Sequence, residues 1–141
     1  MGPSDYSEPE AERPQTTGRV SYRFLKQDRL RKSSEFDRVY RRGRKIVSPN
    51  AVLFYSPNRL ERFRFGITVS RKVGKAVQRN RIKRFLREAY RLNRQLLNRQ
   101  QACDVVLVMR KEGAGLTFRE LEKVLLELFS RAGLLDSDKN I

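Results

Sequence analysis

Toward the C-terminal end of the chain, Asp104-Val105-Val106-Leu107-Val108-Met109 sets five apolar residues in succession with no polar alternation. A strand of that pattern has no face to turn to water, so it belongs inside a sheet that is covered on both sides. The rest of the chain must supply the flanking strands and the covers. Asn50 to Ser56 is rich in strand-forming residues and is closed by Pro57-Asn58, while Phe63, Phe65, Ile67 and Val69 alternate with Arg64, Gly66, Thr68 and Ser70. These two segments read as an antiparallel pair.

Three segments carry helical periodicity. Ser33 or Ser34 supplies the N-cap of a short helix that Gly43 ends, with Phe36, Val39 and Tyr40 on one face. A longer helix is expected from about Ala76 to about Asn98, with Ile82, Phe85, Leu86, Ala89 and Leu96 as its apolar stripe. After a turn at Gly113 and Gly115, Thr117 and Glu120 form a capping box ahead of a stripe of Phe118, Leu121, Val124, Leu125, Leu128 and Phe129, with Gly133 as the C-cap. The order αββαβα predicts an α+β fold, a two-layer sandwich of a small mixed sheet and helices. Residues 21–135 suffice for one domain. Residues 1–20, with Pro3, Pro9, Pro14 and four acids, are expected to be a disordered acidic tail, and 136–141 a flexible C-terminal tail.

Charge is concentrated in the middle of this plan. Residues 19–99 hold 25 Lys/Arg against 5 Asp/Glu, a net +20 in a chain whose total is +16. Such self-repulsion opposes compaction unless a polyanion is the usual partner, and nucleic acid fits better than a membrane, which would want a basic helix with a bulky apolar face. The longest apolar runs are strand-sized and the first twenty residues have no apolar core of a signal peptide, so a cytoplasmic protein is expected. Cys103, the single cysteine, excludes an internal disulfide and reads as a buried thiol at a strand end. With no histidine, the usual zinc sites and Ser-His or Cys-His nucleophiles are excluded. The five acids of the basic segment, Asp28, Glu35, Asp37, Glu61 and Glu88, show no cluster that would hold catalytic metals.

The densest cationic stretch runs Ser70-Arg71-Lys72-Val73-Gly74-Lys75-Ala76-Val77-Gln78-Arg79-Asn80-Arg81-Ile82-Lys83-Arg84. It leads from a loop into a helix N-terminus, where backbone N–H groups and the helix dipole already favour phosphate. Asn80 is unusual in a plain electrostatic patch: its amide could fix neighbouring arginines or read a sugar or base edge, or simply be tolerated near a helix start. With Phe65-Gly66-Ile67-Thr68-Val69 before it, Arg87 after it, and Arg29-Leu30-Arg31-Lys32 and Phe36-x-x-x-Tyr40 upstream, this stretch resembles the protein subunit of bacterial ribonuclease P, the ribonucleoprotein that removes 5′ leaders from precursor tRNA.

The resemblance implies a tRNA-processing endonuclease whose RNA subunit, with bound magnesium, carries the chemistry, and a left-handed βαβ crossover through the long helix. It assigns Arg71, Lys72, Arg79, Asn80, Arg81, Lys83, Arg84 and Arg87 to the RNA subunit. It assigns Phe36, Tyr40, Val52, Phe54 and Thr68, flanked by Arg31 and Lys32, to the single-stranded leader of precursor tRNA. Tyr40 and Phe54 stand where the family carries either Phe or Tyr. From spacing alone, Phe36 and Phe54 would read as ordinary core. The alternatives are a general or ribosomal RNA-binding protein, which explains the charge but not the aromatic stripe, and a stand-alone metal nuclease, which lacks ligands.

Overall fold

The computed structural model describes residues 26–136. The expected acidic tail and most of the C-terminal tail lie outside the described residues; Asp136, placed in that tail, donates its N–H to Leu96 O at 2.7 Å. The elements are α1 (Ser33–Arg42), β1 (Arg44–Val47), β2 (Ala51–Pro57), β3 (Arg64–Thr68), α2 (Ala76–Asn93), β4 (Cys103–Met109) and α3 (Phe118–Arg131). No helix among them is long and apolar enough to cross a membrane.

The four strands form one mixed sheet in the order β1-β2-β4-β3. β4 is its centre, buried along nearly its whole length as its unbroken apolar run requires. It pairs antiparallel with β2 and parallel with β3, the parallel link being made through α2. The expected pairing of β2 with β3 is therefore wrong. Both have their best apolar partner in β4, which inserts between them although it comes later in the chain. β1 was not anticipated: Arg44-Lys45-Ile46-Val47 pairs with β2 at the sheet edge, and its mixed character reflects that exposed position.

One face of the sheet is fully covered. Leu53, Phe65, Val105 and Leu107 pack there against Ile82, Leu86 and Tyr90 of α2 and Leu121, Leu125 and Phe129 of α3. Phe65 and Tyr90 stack at 4.4 Å between ring centroids, and Phe129 meets both edge-on at 6.3 Å. α2 ends at Asn93, short of the expected Asn98, because the Asn93 amide turns to Ala89 O and Glu122 Oε2, at 2.8 Å each. The chain then passes through two 3-10 turns that bury Leu97 in place of the expected Leu96. α3 begins with the anticipated Thr117–Glu120 capping box and closes with Gly133 at φ 77°, a left-handed position that glycine adopts without strain.

The other face is only partly covered, by α1. Neither Ser33 nor Ser34 caps it. Glu35 reaches back instead to the backbone N–H groups of Arg31 and Lys32, both at 3.0 Å. Gly43 ends the helix as expected, and only glycine fits: a Cβ would lie 2.4 Å from Val39 O and 2.7 Å from Tyr55 O.

Candidate nucleic-acid interface

The cationic motif begins in the turn after β3, where Val73 is buried and donates its N–H to Ser70 O, leaving Arg71 and Lys72 exposed. No side chain caps the start of α2, so its first turn faces solvent with the positive end of the helix dipole. Along α2, Arg79, Lys83 and Arg87 recur at four-residue intervals and form a ridge on one flank of the buried stripe. Asn80 and Arg84 are exposed in the next row. Arg81 does not join them. Its guanidinium lies 5.2 Å over the Phe85 ring, and Phe85 packs edge-on against Phe118 of α3, so Arg81 occupies the opposite flank.

The ridge is under electrostatic load. Lys83 is half-buried, and burial, with Arg87 and Arg79 close by, holds its ammonium below the ordinary lysine range. A cation so placed gains when an anion arrives. Arg79 is steadied from below by its Nε donating to Gly74 O at 3.1 Å. Asn80 makes no hydrogen bond to a neighbouring arginine among the described residues, so of its expected roles the fixing of arginines is absent and its amide stays exposed.

The second group of residues is brought together on the half-open sheet face. Phe36 and Tyr40 lie 6.5 Å apart between ring centroids, and Tyr40 meets Phe54 edge-on at 5.1 Å. The Tyr40 hydroxyl and Thr68 Oγ1 are 2.7 Å apart, which ties α1 to β3. Val52 and Thr68 flank Val108 in register, so all three share this face. Phe36, Tyr40, Phe54 and Val108 rest on buried Leu30, Val39 and Val106, yet each keeps part of its surface exposed. The core alternative for Phe36 and Phe54 is thus half right: they pack below and are open above. Arg31 and Lys32 are exposed at the start of α1. Val106 and Val108, which floor this cleft, were not singled out in the sequence, although strict alternation along β4 would have placed them opposite Val105 and Leu107.

A buried polar cluster that sequence reasoning also missed fixes the geometry. Arg64 Nε and Nη2 donate to the two carboxylate oxygens of Asp104 at 2.9 and 2.8 Å, and its Nη1 donates to Glu35 Oε2 at 2.9 Å. Asp104, 2% exposed, also accepts from Asn58 Nδ2 at 2.7 Å. Burial alone would raise the Glu35 carboxyl, but the Arg31 and Lys32 N–H groups and the Arg64 guanidinium together hold it below the usual carboxylate range. Burial, reinforced by Asp104, pushes the Cys103 thiol up to about 12, leaving it a packing group rather than a nucleophile.

Three acids of the basic segment are already engaged by arginines. Asp28 pairs with Arg94 at 3.0 Å, Glu35 with Arg64, and Glu88 with Arg91. Among the described residues no three carboxylates or thiols come together.

A family profile described as ribonuclease P matches residues 24–133. A "Ribonuclease P protein component" of Clostridium botulinum is 38% identical over 110 residues, 78% of this chain and 98% of the relative. One from Desulfosudis oleivorans is 41% identical over 113 residues, 80% and 92% of the two chains. Among solved structures, the Staphylococcus aureus RNase P protein superposes with a TM-score of 0.71 at 28% identity, covering 77% of this chain and 98% of that one. The RNase P protein from Thermotoga maritima in complex with 1-(4-fluorophenyl)-2-thiourea gives 0.67 at 31% identity, covering 72% and 97%.

Proposed function

The chain belongs to the ribonuclease P protein family, RNA-binding subunits of a tRNA-processing endonuclease, and on that premise we propose that it works through two separate surfaces, one holding the catalytic RNA subunit and the other the 5′ leader of precursor tRNA. Arg71, Lys72 and the α2 residues Arg79, Asn80, Lys83, Arg84 and Arg87 take the RNA subunit, with Arg81 contributing from the far flank. The loaded ridge around Lys83 supports this assignment, since phosphates relieve the crowding of like charge. Phe36, Tyr40, Val52, Phe54 and Thr68, with Arg31 and Lys32 at the edge, take the leader. Bases stack on aromatic faces whatever their identity, which suits a subunit that meets many leaders.

The observation that carries this reading is the half-exposed Phe36–Tyr40–Phe54 cluster on the sheet face that α1 leaves open. A general RNA-binding surface needs the cations but not this cleft. The cleft ends at Thr68, three residues before Arg71, so a strand leaving it meets the cationic turn directly. Magnesium held by the RNA subunit supplies the chemistry of phosphodiester hydrolysis. The protein's residues supply position: the aromatics fix the leader laterally, and the cations lower the repulsion between two RNA backbones brought side by side.

The test compares two classes of variant in the assembled holoenzyme. Phe36→Leu should weaken precursor tRNA by about 1–3 kcal/mol, one stacked base, and leave mature tRNA unchanged. Arg79→Ala should weaken assembly with the RNA subunit and make its salt dependence shallower by about one unit of log–log slope. Thermal melts establish that each variant is folded. Equal loss for precursor and mature tRNA would remove the leader assignment.

A further inference from the structure

α1 has two flanks, and only one borders the aromatic cleft. On the other, Arg38 and Arg42 stand one turn apart and, with the loop between β2 and β3, line an open concavity of about 530 Å³. Arg59 enters the cavity from that loop. All three arginines are exposed, and none of their side chains makes an ion pair or hydrogen bond among the described residues. The other charges at the cavity are already balanced: Arg64 is held by Asp104, and Glu35 by Arg64 and two backbone N–H groups.

The loop wall is anchored by one side chain. Asn58 donates to Asp104 Oδ1 at 2.7 Å and to Arg62 O at 3.0 Å, and accepts from the Leu60 N–H at 3.0 Å. This ties the loop carrying Arg59 to the central strand. Three uncompensated guanidiniums, lining one concavity from two elements, present forked donors that match phosphate oxygens. Pro57 and Leu60 add an apolar side against which a sugar or base can lie.

We propose that this cavity is a third RNA contact, a phosphate-binding site on the flank of α1 away from the leader cleft. The inference rests on the ribonuclease P reading for its partner but uses none of the residues assigned there to RNA. A strand seated here is separated from the cleft by the width of α1, so it is a different stretch of RNA from the one stacked on Phe36 and Tyr40.

The test uses Arg38→Gln/Arg59→Gln, which removes two charges and keeps polar, unbranched side chains at exposed positions. Affinity is measured against salt in two arms: the protein with its cognate RNA subunit, and the holoenzyme with precursor tRNA whose leader either ends within the aromatic cleft or runs beyond it. The expected result is a log–log slope shallower by about two, one per guanidinium, and an affinity lower by roughly tenfold or more. Loss in the first arm assigns the phosphates to the RNA subunit, and loss confined to the longer leader assigns them to the substrate. Unchanged slopes in both arms overturn the site. Arg79→Ala run in parallel separates the two failures: a parent-like double variant beside a weakened Arg79→Ala removes only the cavity, whereas parent-like slopes for both remove the RNA reading as well. Should the double variant lose its fold by circular dichroism, Arg59→Gln alone, in an exposed loop position, is expected to shift the slope by about one.

Discussion

Replacing Asp104 with asparagine exchanges one carboxylate oxygen for an NH2 group and hardly changes the shape of the side chain. The energetic change is large because of where the group sits. Asp104 is 2% exposed and accepts three hydrogen bonds, two from Arg64 and one from Asn58. An asparagine there loses the charge and turns a donor toward a guanidinium that is itself mostly buried, at 13% side-chain exposure. Removing one partner of a buried pair costs about 3–5 kcal/mol. Arg64 keeps Glu35 as a second partner, so the loss belongs at the low end, about 3 kcal/mol, a fifth or more of a typical domain's stability. For a domain of this size that is a fall in melting temperature of roughly 12 °C. Thermal melts and urea titrations of Asp104→Asn, Arg64→Met and the double variant check it. The singles should add to more than the double by about 1–3 kcal/mol, because each strands the other's partner. A single Asp104→Asn within about 0.5 kcal/mol of the parent would refute the view that this cluster holds α1 and the β2–β3 loop to the sheet.

Two further outcomes follow from the same half of the molecule. Glu35 has a folded-state pKa held below its unfolded value, so its contribution is present above the ordinary glutamate range, about pH 4.3, and is lost as pH falls through the folded value; Glu35→Gln should flatten the acid limb of a stability–pH curve, and an unaltered limb would contradict the assignment. Gly43→Ala forces a Cβ against two backbone oxygens that cannot swing away, so it should destabilise the fold by about 1–3 kcal/mol in denaturant titrations, and a neutral result would show that α1 can shift off β2.

What the sequence disclosed depended on whether the signal was local. The Val/Leu run marked β4 as central, and the Thr117–Glu120 box marked the start of α3, because burial on two faces and capping are written in adjacent residues. The pairing of β2 with β3 failed because alternation says which residues share a face, never which strand lies alongside. Tyr90 was legible but overlooked: it falls four residues after Leu86 and eight after Ile82, on the same stripe. The serine caps failed because Glu35, recruited by Arg64 from a distant strand, satisfies the helix start first. At the interface, the cationic motif gave the composition of one surface, but its division into a ridge at Arg79, Lys83 and Arg87 and a separate Arg81 needed the Phe85–Phe118 contact. The Arg38–Arg42–Arg59 cavity was hidden because its members come from segments seventeen or more residues apart that only the fold brings together.

The position of β4 also dictates an order of events during synthesis. A ribosome delivers β2 and β3 well before β4, and those two strands do not pair with each other; their common neighbour arrives only after the whole of residues 69–102 has been made. Until then the nascent chain can close the β1–β2 hairpin but no larger sheet, and a lone hairpin is marginal in water. Closing the parallel β3–β4 ladder across α2 is a long-range step of the slow kind. The segment bearing the excess positive charge is therefore complete in the chain before the strand that organises its sheet has been made, and β4 sets when that polycation can take its final shape.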